Sequence, residues 1–199
     1  AKNGSDVCTW ALEVARAGTS RRKILAAEGA YHGTHAWCSP FLDGTTPEDR
    51  VHIAHYRYND LASVDAALAA NEGDVAGIIV SPFRHDAFHD QEMPAPGFLP
   101  GLRERCDRLG AILILDDVRA GFRLHLGGSG ERVGVQPDLT CYCKALGNGY
   151  AIPACLGREA LREPATRVFF TGSYWTSAVP MAGALACLHE LAASDAIGH

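Results

Sequence analysis

Two acids and one lysine are the residues of this 199-residue chain whose surroundings point to chemistry. Asp116 and Asp117 close the apolar run Ala111-Ile112-Leu113-Ile114-Leu115, so two carboxyls stand where a buried strand emerges. Three readings fit such a pair. The plainest is that one acid caps the next turn. The second is a magnesium site of the Walker-B kind, but that needs a phosphate loop G-x-x-x-x-G-K-[ST], and the sequence has no Gly-Lys pair. The third joins an acid to a lysine at another strand end. Lys144 follows Leu139-Thr140-Cys141-Tyr142-Cys143 and precedes Ala145-Leu146-Gly147-Asn148-Gly149. A lysine leaving an apolar strand for a glycine-rich turn is costly to bury as a free cation, and a Schiff base removes that cost. A surface-loop lysine is the alternative.

The elements that must hold these residues alternate along the chain. Val7, Trp10, Ala11, Val14 and Ala15 recur at helical spacing between Ser5 and Ala17, with Asn3-Gly4-Ser5 as cap and Gly18 as stop. Strands are expected at Lys23 to Ala27, Val51 to Tyr56, Val75 to Val80, Ala111 to Leu115, Leu139 to Cys143 and Ala154 to Leu156. Helices are expected at Leu61 to Ala70, at Leu99 to Leu109 before Gly110, and at Ser177 to Ala193; a Gly- and His-rich loop fills 29 to 44. Strands apolar on both faces, separated by helices, predict an α/β fold with a mainly parallel sheet sandwiched by helices. Ligands of such sheets bind beyond the C-terminal strand ends.

Composition narrows the function classes. A chain that is 47% hydrophobic and 21% charged, with net charge -5 and pI near 6.0, falls in the globular range, without the basic face that nucleic acid or an anionic membrane attracts. Seven cysteines, scattered and odd in number, fit a reducing cytoplasm better than a disulfide framework. No apolar run approaches the roughly 20 residues that span a bilayer. Cys141 and Cys143 share one face of a strand, yet with no second close cysteine pair and no histidine pair at ligand spacing, no metal is assigned.

Several segments resemble the class-III family of pyridoxal-phosphate-dependent aminotransferases. Leu115-Asp116-Asp117-Val118-Arg119-Ala120-Gly121-Phe122-Arg123 is similar to the family's D-E-V-x-T-G-F-R signature, and Lys144-Ala145-Leu146-Gly147-Asn148-Gly149-Tyr150 to its lysine segment. Lys2-Asn3-Gly4-Ser5-Asp6, Tyr31-His32-Gly33 and Phe170-Thr171-Gly172-Ser173-Tyr174-Trp175 match in order, with a flavour closest to glutamate-1-semialdehyde aminomutase-like members. The resemblance implies the large domain of a fold-type-I enzyme over 1–199 that holds pyridoxal 5'-phosphate. Lys144 would carry the cofactor and shuttle a proton, and Asp116 would pair with the ring nitrogen. Gly4 and Ser5 would take the phosphate at a helix N-terminus, with Asp6 pointing away. Tyr31 and Val118 would pack on the two ring faces, and His32 is placed in the same site with a less defined role. Ser173, or Thr176 in its stead, would reach the phosphate of a neighbouring subunit's cofactor, which makes a homodimer with a shared active site the expected assembly.

The reaction implied is transfer of an amino group between an amino donor and a carbonyl acceptor. An intramolecular aminomutase and a truncated, catalytically silent binding domain are the alternatives. Val80-Ser81-Pro82 departs from relatives that carry a glutamate before the proline, and Arg84, His85, Arg119 and Arg123 are the nearest cations for a substrate carboxylate. Relatives are about twice as long, so an N-terminal segment and a C-terminal small domain are expected outside this sequence.

Overall fold

The computed structural model describes residues 1–86 and 89–198. Helix α1 (Gly4–Thr19) buries the stripe Val7, Cys8, Ala11, Leu12, Val14 and Ala15. Asn3 caps it, its Oδ1 accepting from the Asp6 N–H at 2.9 Å. The helix passes through Gly18, the expected stop, and ends where Ser20 takes a left-handed φ of 55° and donates to Arg16 O. Gly18 answers to packing instead: a Cβ there would stand 3.0 Å from Leu161 Cδ2.

The remaining elements are β1 (Lys23–Ala27), α2 (Pro47–Arg50), β2 (Ile53–Tyr56), α3 (Leu61–Ala70), β3 (Val75–Val80), α4 (Phe98–Leu109), β4 (Ile112–Asp116), α5 (Ser129–Val133), β5 (Leu139–Tyr142), β6 (Ala154–Gly157), α6 (Arg162–Arg167) and α7 (Ala178–Ser194). Strand β2 starts two residues later than its apolar pattern predicts, because Thr46 and Asp49 form a capping box that starts the α2 turn just before it. Helices α2, α5 and α6 are too short to show a periodic apolar stripe, and sequence reasoning did not anticipate them.

The strands form one sheet in the order β2-β1-β3-β4-β5-β6, parallel from β2 through β5, with β6 antiparallel on the edge. Successive side chains of a strand point to opposite faces. Ile78 accordingly joins the core beneath α3 and α4 while Ile79 joins the core beneath α1, and Leu113 and Ile114 divide in the same way. Helices therefore cover both faces of a mainly parallel sheet. Among the described residues, no helix is long and apolar enough to cross a membrane.

This topology decides where chemistry can gather. Strands β1, β3, β4 and β5 are neighbours and parallel, so their C-terminal ends share one edge of the sheet. Helix α1 enters β1 through the short turn 20–22 and packs on β3, β4 and β5, so it runs back across the sheet with its N-terminus at that same edge.

Candidate active site

A cavity of about 720 Å³ opens at this edge, and Gly4, Ser5, Tyr31, His32, Asp116, Val118 and Lys144 all stand in its wall. They reach it from four connections: the first turn of α1, the loop after β1, the end of β4 and the turn after β5.

Asp116 is the last residue of β4 and is 3% exposed. Its Oδ2 lies 2.7 Å from His32 Nδ1, and its Oδ1 accepts from the Val118 N–H at 3.1 Å. Burial by itself pushes this carboxyl up, but the hydrogen bond and charge of His32, with the Val118 N–H, outweigh it and hold Asp116 below the ordinary carboxylate range. A carboxylate only accepts, so His32 carries its proton on Nδ1. His32 Nε2 is buried without a partner among the described residues. The His32 ring stacks on Trp37 at 6.3 Å and 14°, and Trp37 Nε1 donates to Thr9 Oγ1 at 2.8 Å, which ties the loop to α1.

Asp117 realises the plainest reading of the acid pair. Its Oδ2 accepts from the Ser129 N–H at 2.8 Å at the start of α5, on the side away from the cavity. Burial raises its pKa, and Oδ1 finds no partner among the described residues.

Two glycines let α1 approach the end of β4 and the loop after β1 closely. A Cβ on Gly4 would stand 2.8 Å from Val118 Cγ1. A Cβ on Gly33, whose φ is +129°, would stand 2.7 Å from Ser5 Cα. Ser5 Oγ accepts from the Thr34 N–H at 3.0 Å. Asp6 is absent from the cavity wall and accepts from the Lys2 N–H at 3.1 Å. Asn3 takes the Asp6 N–H, whereas Gly4 and Ser5, whose N–H groups have no acceptor within the helix, both stand in the cavity wall.

Lys144 begins a single 3-10 turn, Lys144–Leu146, with φ 40°. That left-handed conformation is uncommon for a side chain of this size, and it lies where strand gives way to site. Leu146 N–H to Cys143 O and Asn148 N–H to Lys144 O, both 2.9 Å, hold the turn. The turn leaves Lys144 exposed at the cavity, as the surface-loop reading of this lysine also has it. Ser173 and Thr176 are exposed in the turn 173–176 and are not part of this cavity.

The wall also includes His85 and Arg119, two of the cations named above for a substrate carboxylate, together with Asn3, Cys8, Asp86 and Cys143, which the sequence analysis did not assign to a site. The end of β3 at Val80-Ser81-Pro82 was the available signal for Asp86, as it was for His85, since it falls at the same sheet edge. Burial lowers the His85 pKa, and Asp86 accepts from Arg84 Nε at 2.6 Å. No three His, Cys, Asp or Glu side chains converge on a metal-sized position among the described residues. The cavity could hold a planar cation with an anionic arm, offering a buried carboxylate to the first and a helix N-terminus to the second.

A profile of the aminotransferase class-III family matches residues 1–197. The chain belongs to that family. This class-III chain is 47% identical over 187 residues to the aminopentol aminotransferase of Sphingopyxis macrogoltabida, covering 94% of this chain and 44% of the relative. It is 39% identical over 191 residues to the 3-aminobutyryl-CoA aminotransferase of Cloacimonas acidaminovorans (strain Evry), covering 96% and 46%. Its fold superimposes on the PLP internal aldimine form of the FumI protein of Sphingopyxis sp. MTA144 with a TM-score of 0.97 at 44% identity, over all of this chain and 48% of that one. The chain thus spans under half the length of the curated relatives it matches.

Proposed function

We propose that the class-III chain holds pyridoxal 5'-phosphate and contributes the catalytic edge of an aminotransferase. The observation that carries this reading is the meeting, in one cavity, of the buried Asp116–His32 pair with Lys144. The residues fit the cofactor on three counts. Asp116 is held ionised, as a partner for a protonated ring nitrogen must be. Gly4 lets the α1 terminus approach Val118 closely, which gives a ring an apolar seat beside free N–H groups. The cavity volume is that of an ordinary small-molecule site.

Bound there, the cofactor supplies a carbonyl that takes up an amino group and a cationic ring that draws electrons from the adjoining carbon. Lys144 Nζ is the amine that anchors the carbonyl. With the cofactor and an amine bound, Lys144 Nζ would be the base that takes the proton from the substrate carbon and the acid that returns it. Asp116 keeps the ring nitrogen protonated, and His32 fixes the carboxylate from behind by occupying Oδ2. Gly4 and Ser5 offer N–H groups to the phosphate, and Val118 and Tyr31 take opposite ring faces. Ser173, exposed on its turn, is the candidate for a phosphate contact in a second copy of the chain, which makes the active assembly a homodimer. A cytoplasmic setting fits the seven free cysteines.

Both curated relatives are named aminotransferases, which favours transamination over an aminomutase. Steady-state kinetics test the choice. Two-substrate ping-pong dependence on an amino donor and an oxo acceptor is expected; isomerisation of a single substrate would replace this reading with the mutase, and no turnover with bound cofactor would leave a silent binding domain.

A further inference from the structure

Cys141 and Cys155 lie outside the cavity that holds Lys144, yet the sheet sets them against each other. Cys141 of β5 and Cys155 of β6 are directly opposite in the antiparallel pairing, so both side chains point to one face of the sheet, the face that α1 covers. The Cys141 carbonyl accepts from the Asp117 N–H at 3.0 Å, toward β4 and away from β6, so the two cysteines form a pair of the kind that exchanges no backbone hydrogen bonds. Such pairs hold their Cα atoms about 4.5 Å apart, inside the range of roughly 4.4–6.8 Å that a disulfide spans. On the helix side, Cys141 Sγ donates to the Val7 carbonyl at 3.7 Å, beside Cys8. The thiols of Cys155 and Cys8, and then burial, raise the Cys141 pKa well above the ordinary value. Cys8 and Cys141 are fully buried, whereas Cys155 is only half-buried and stands in the wall of a separate opening with Trp10 and Trp175. An oxidant from solvent therefore meets Cys155 first.

We propose that Cys155 and Cys141 form an oxidation site that a peroxide closes to a disulfide, tying down the turn that carries Lys144. The Cys155 sulfur attacks one peroxide oxygen; the S–O bond forms as the O–O bond breaks, and the first water leaves with the thiol proton. Cys141 Sγ then attacks the sulfenic acid sulfur; the S–S bond forms, the S–O bond breaks, and the hydroxyl departs with the Cys141 proton as the second water. The thiols lose two electrons in all, and the peroxide is reduced to water. Cys143 shares the face of Cys141 but meets Cys155 only on the diagonal, about 7–8 Å away, too far for a bond without backbone movement. The segment 142–154 that the disulfide closes contains Lys144, Asn148 and Gly149, with φ values of 40°, 42° and 113°. Backbone of this kind persists only where its surroundings hold it, and a covalent tie across its base restricts its opening. In a reducing compartment such a bond is transient, as a sensor of oxidants requires. The thiol site does not rest on the cofactor reading of Lys144.

Hydrogen peroxide in small excess, then alkylation of the remaining thiols, non-reducing digestion and mass spectrometry, tests the site on the whole chain. Peptides joined through Cys141 and Cys155 are expected, separated again by dithiothreitol, absent in Cys155→Ser and kept in Cys187→Ser. In the oxidised chain the bonded amides of Leu146, Gly147, Asn148 and Tyr150 are expected to exchange with deuterium about tenfold more slowly than in the reduced chain, with no such change when Cys155→Ser is treated with peroxide. Cys155 carried on to sulfinic acid with no link to Cys141, a link that joins other cysteines in its place, or a linked chain whose turn exchanges as fast as before would each overturn the proposal.

Discussion

Strand β4 ends in two adjacent carboxyls that the fold treats in opposite ways. On the cavity side, Asp116 has both oxygens bonded, one from His32 and one from the Val118 N–H, and its pKa falls below the ordinary value of 3.8. On the rear side, Asp117 accepts from the Ser129 N–H, its other oxygen has no partner among the described residues, and its pKa rises above the same value. Both are nearly inaccessible, at 3% and 1% exposure, so burial alone does not separate them. What separates them is the supply of donors. A buried carboxylate stays ionised where the chain brings it N–H groups, and it tends toward neutrality where the chain does not. One of the pair suits a cationic ligand, and the other anchors a short helix.

The largest expected difference is in catalysis. Asp116→Asn should lower turnover by about 10²- to 10⁴-fold while the cofactor still binds, as seen in kcat and in the visible spectrum. Asp117→Asn should change kcat by less than about threefold, since it lies on the far face. Comparable losses in the two variants would erase the distinction.

His32→Leu comes next. It strips Asp116 of its main donor and should cost about 1–3 kcal/mol of stability in urea unfolding, with a loss of turnover smaller than that of Asp116→Asn. His32→Asn, which can present an N–H near the position of Nδ1, should recover part of both. No recovery would mean that stacking on Trp37, and not the hydrogen bond, is what His32 contributes.

The smallest effect is in the pH dependence of stability. Asp116 has a lowered folded-state pKa, so its contribution is present above 3.8 and is lost as pH falls through the folded value. Asp117 has a raised one. The native state then holds its proton more tightly than the unfolded chain does, and stability is lost as pH rises from 3.8 through the folded value. Asp117→Asn keeps an acceptor for the Ser129 N–H and should raise stability at neutral pH by about 1 kcal/mol or less, flattening the profile above pH 3.8. A loss of stability at neutral pH would contradict the rear-side account.

How much of this was legible in advance follows the range of the interactions. Strand β3 matches its apolar run from Val75 to Val80 because a strand buried on both faces is written in consecutive residues. Lys144 and Asp116 were legible from motifs local to each strand end. The His32–Asp116 pair was not, since it joins positions 84 apart through a loop whose path depends on Gly33 meeting α1. The left-handed turn at Lys144, φ 40°, was not legible for a related reason: no residue type announces it. Gly18 misled because a glycine late in a helix reads as a stop, while here it makes room for Leu161.

The central claim is that the amine at this edge of the sheet is the one that takes the cofactor. Borohydride reduction after addition of pyridoxal phosphate, followed by peptide mapping, tests it most directly. A visible absorbance band and a reduced adduct on Lys144, absent in Lys144→Ala, are the expected result. Label shared with Lys2 and Lys23, or no band at all, would contradict the assignment of this cavity as the cofactor site.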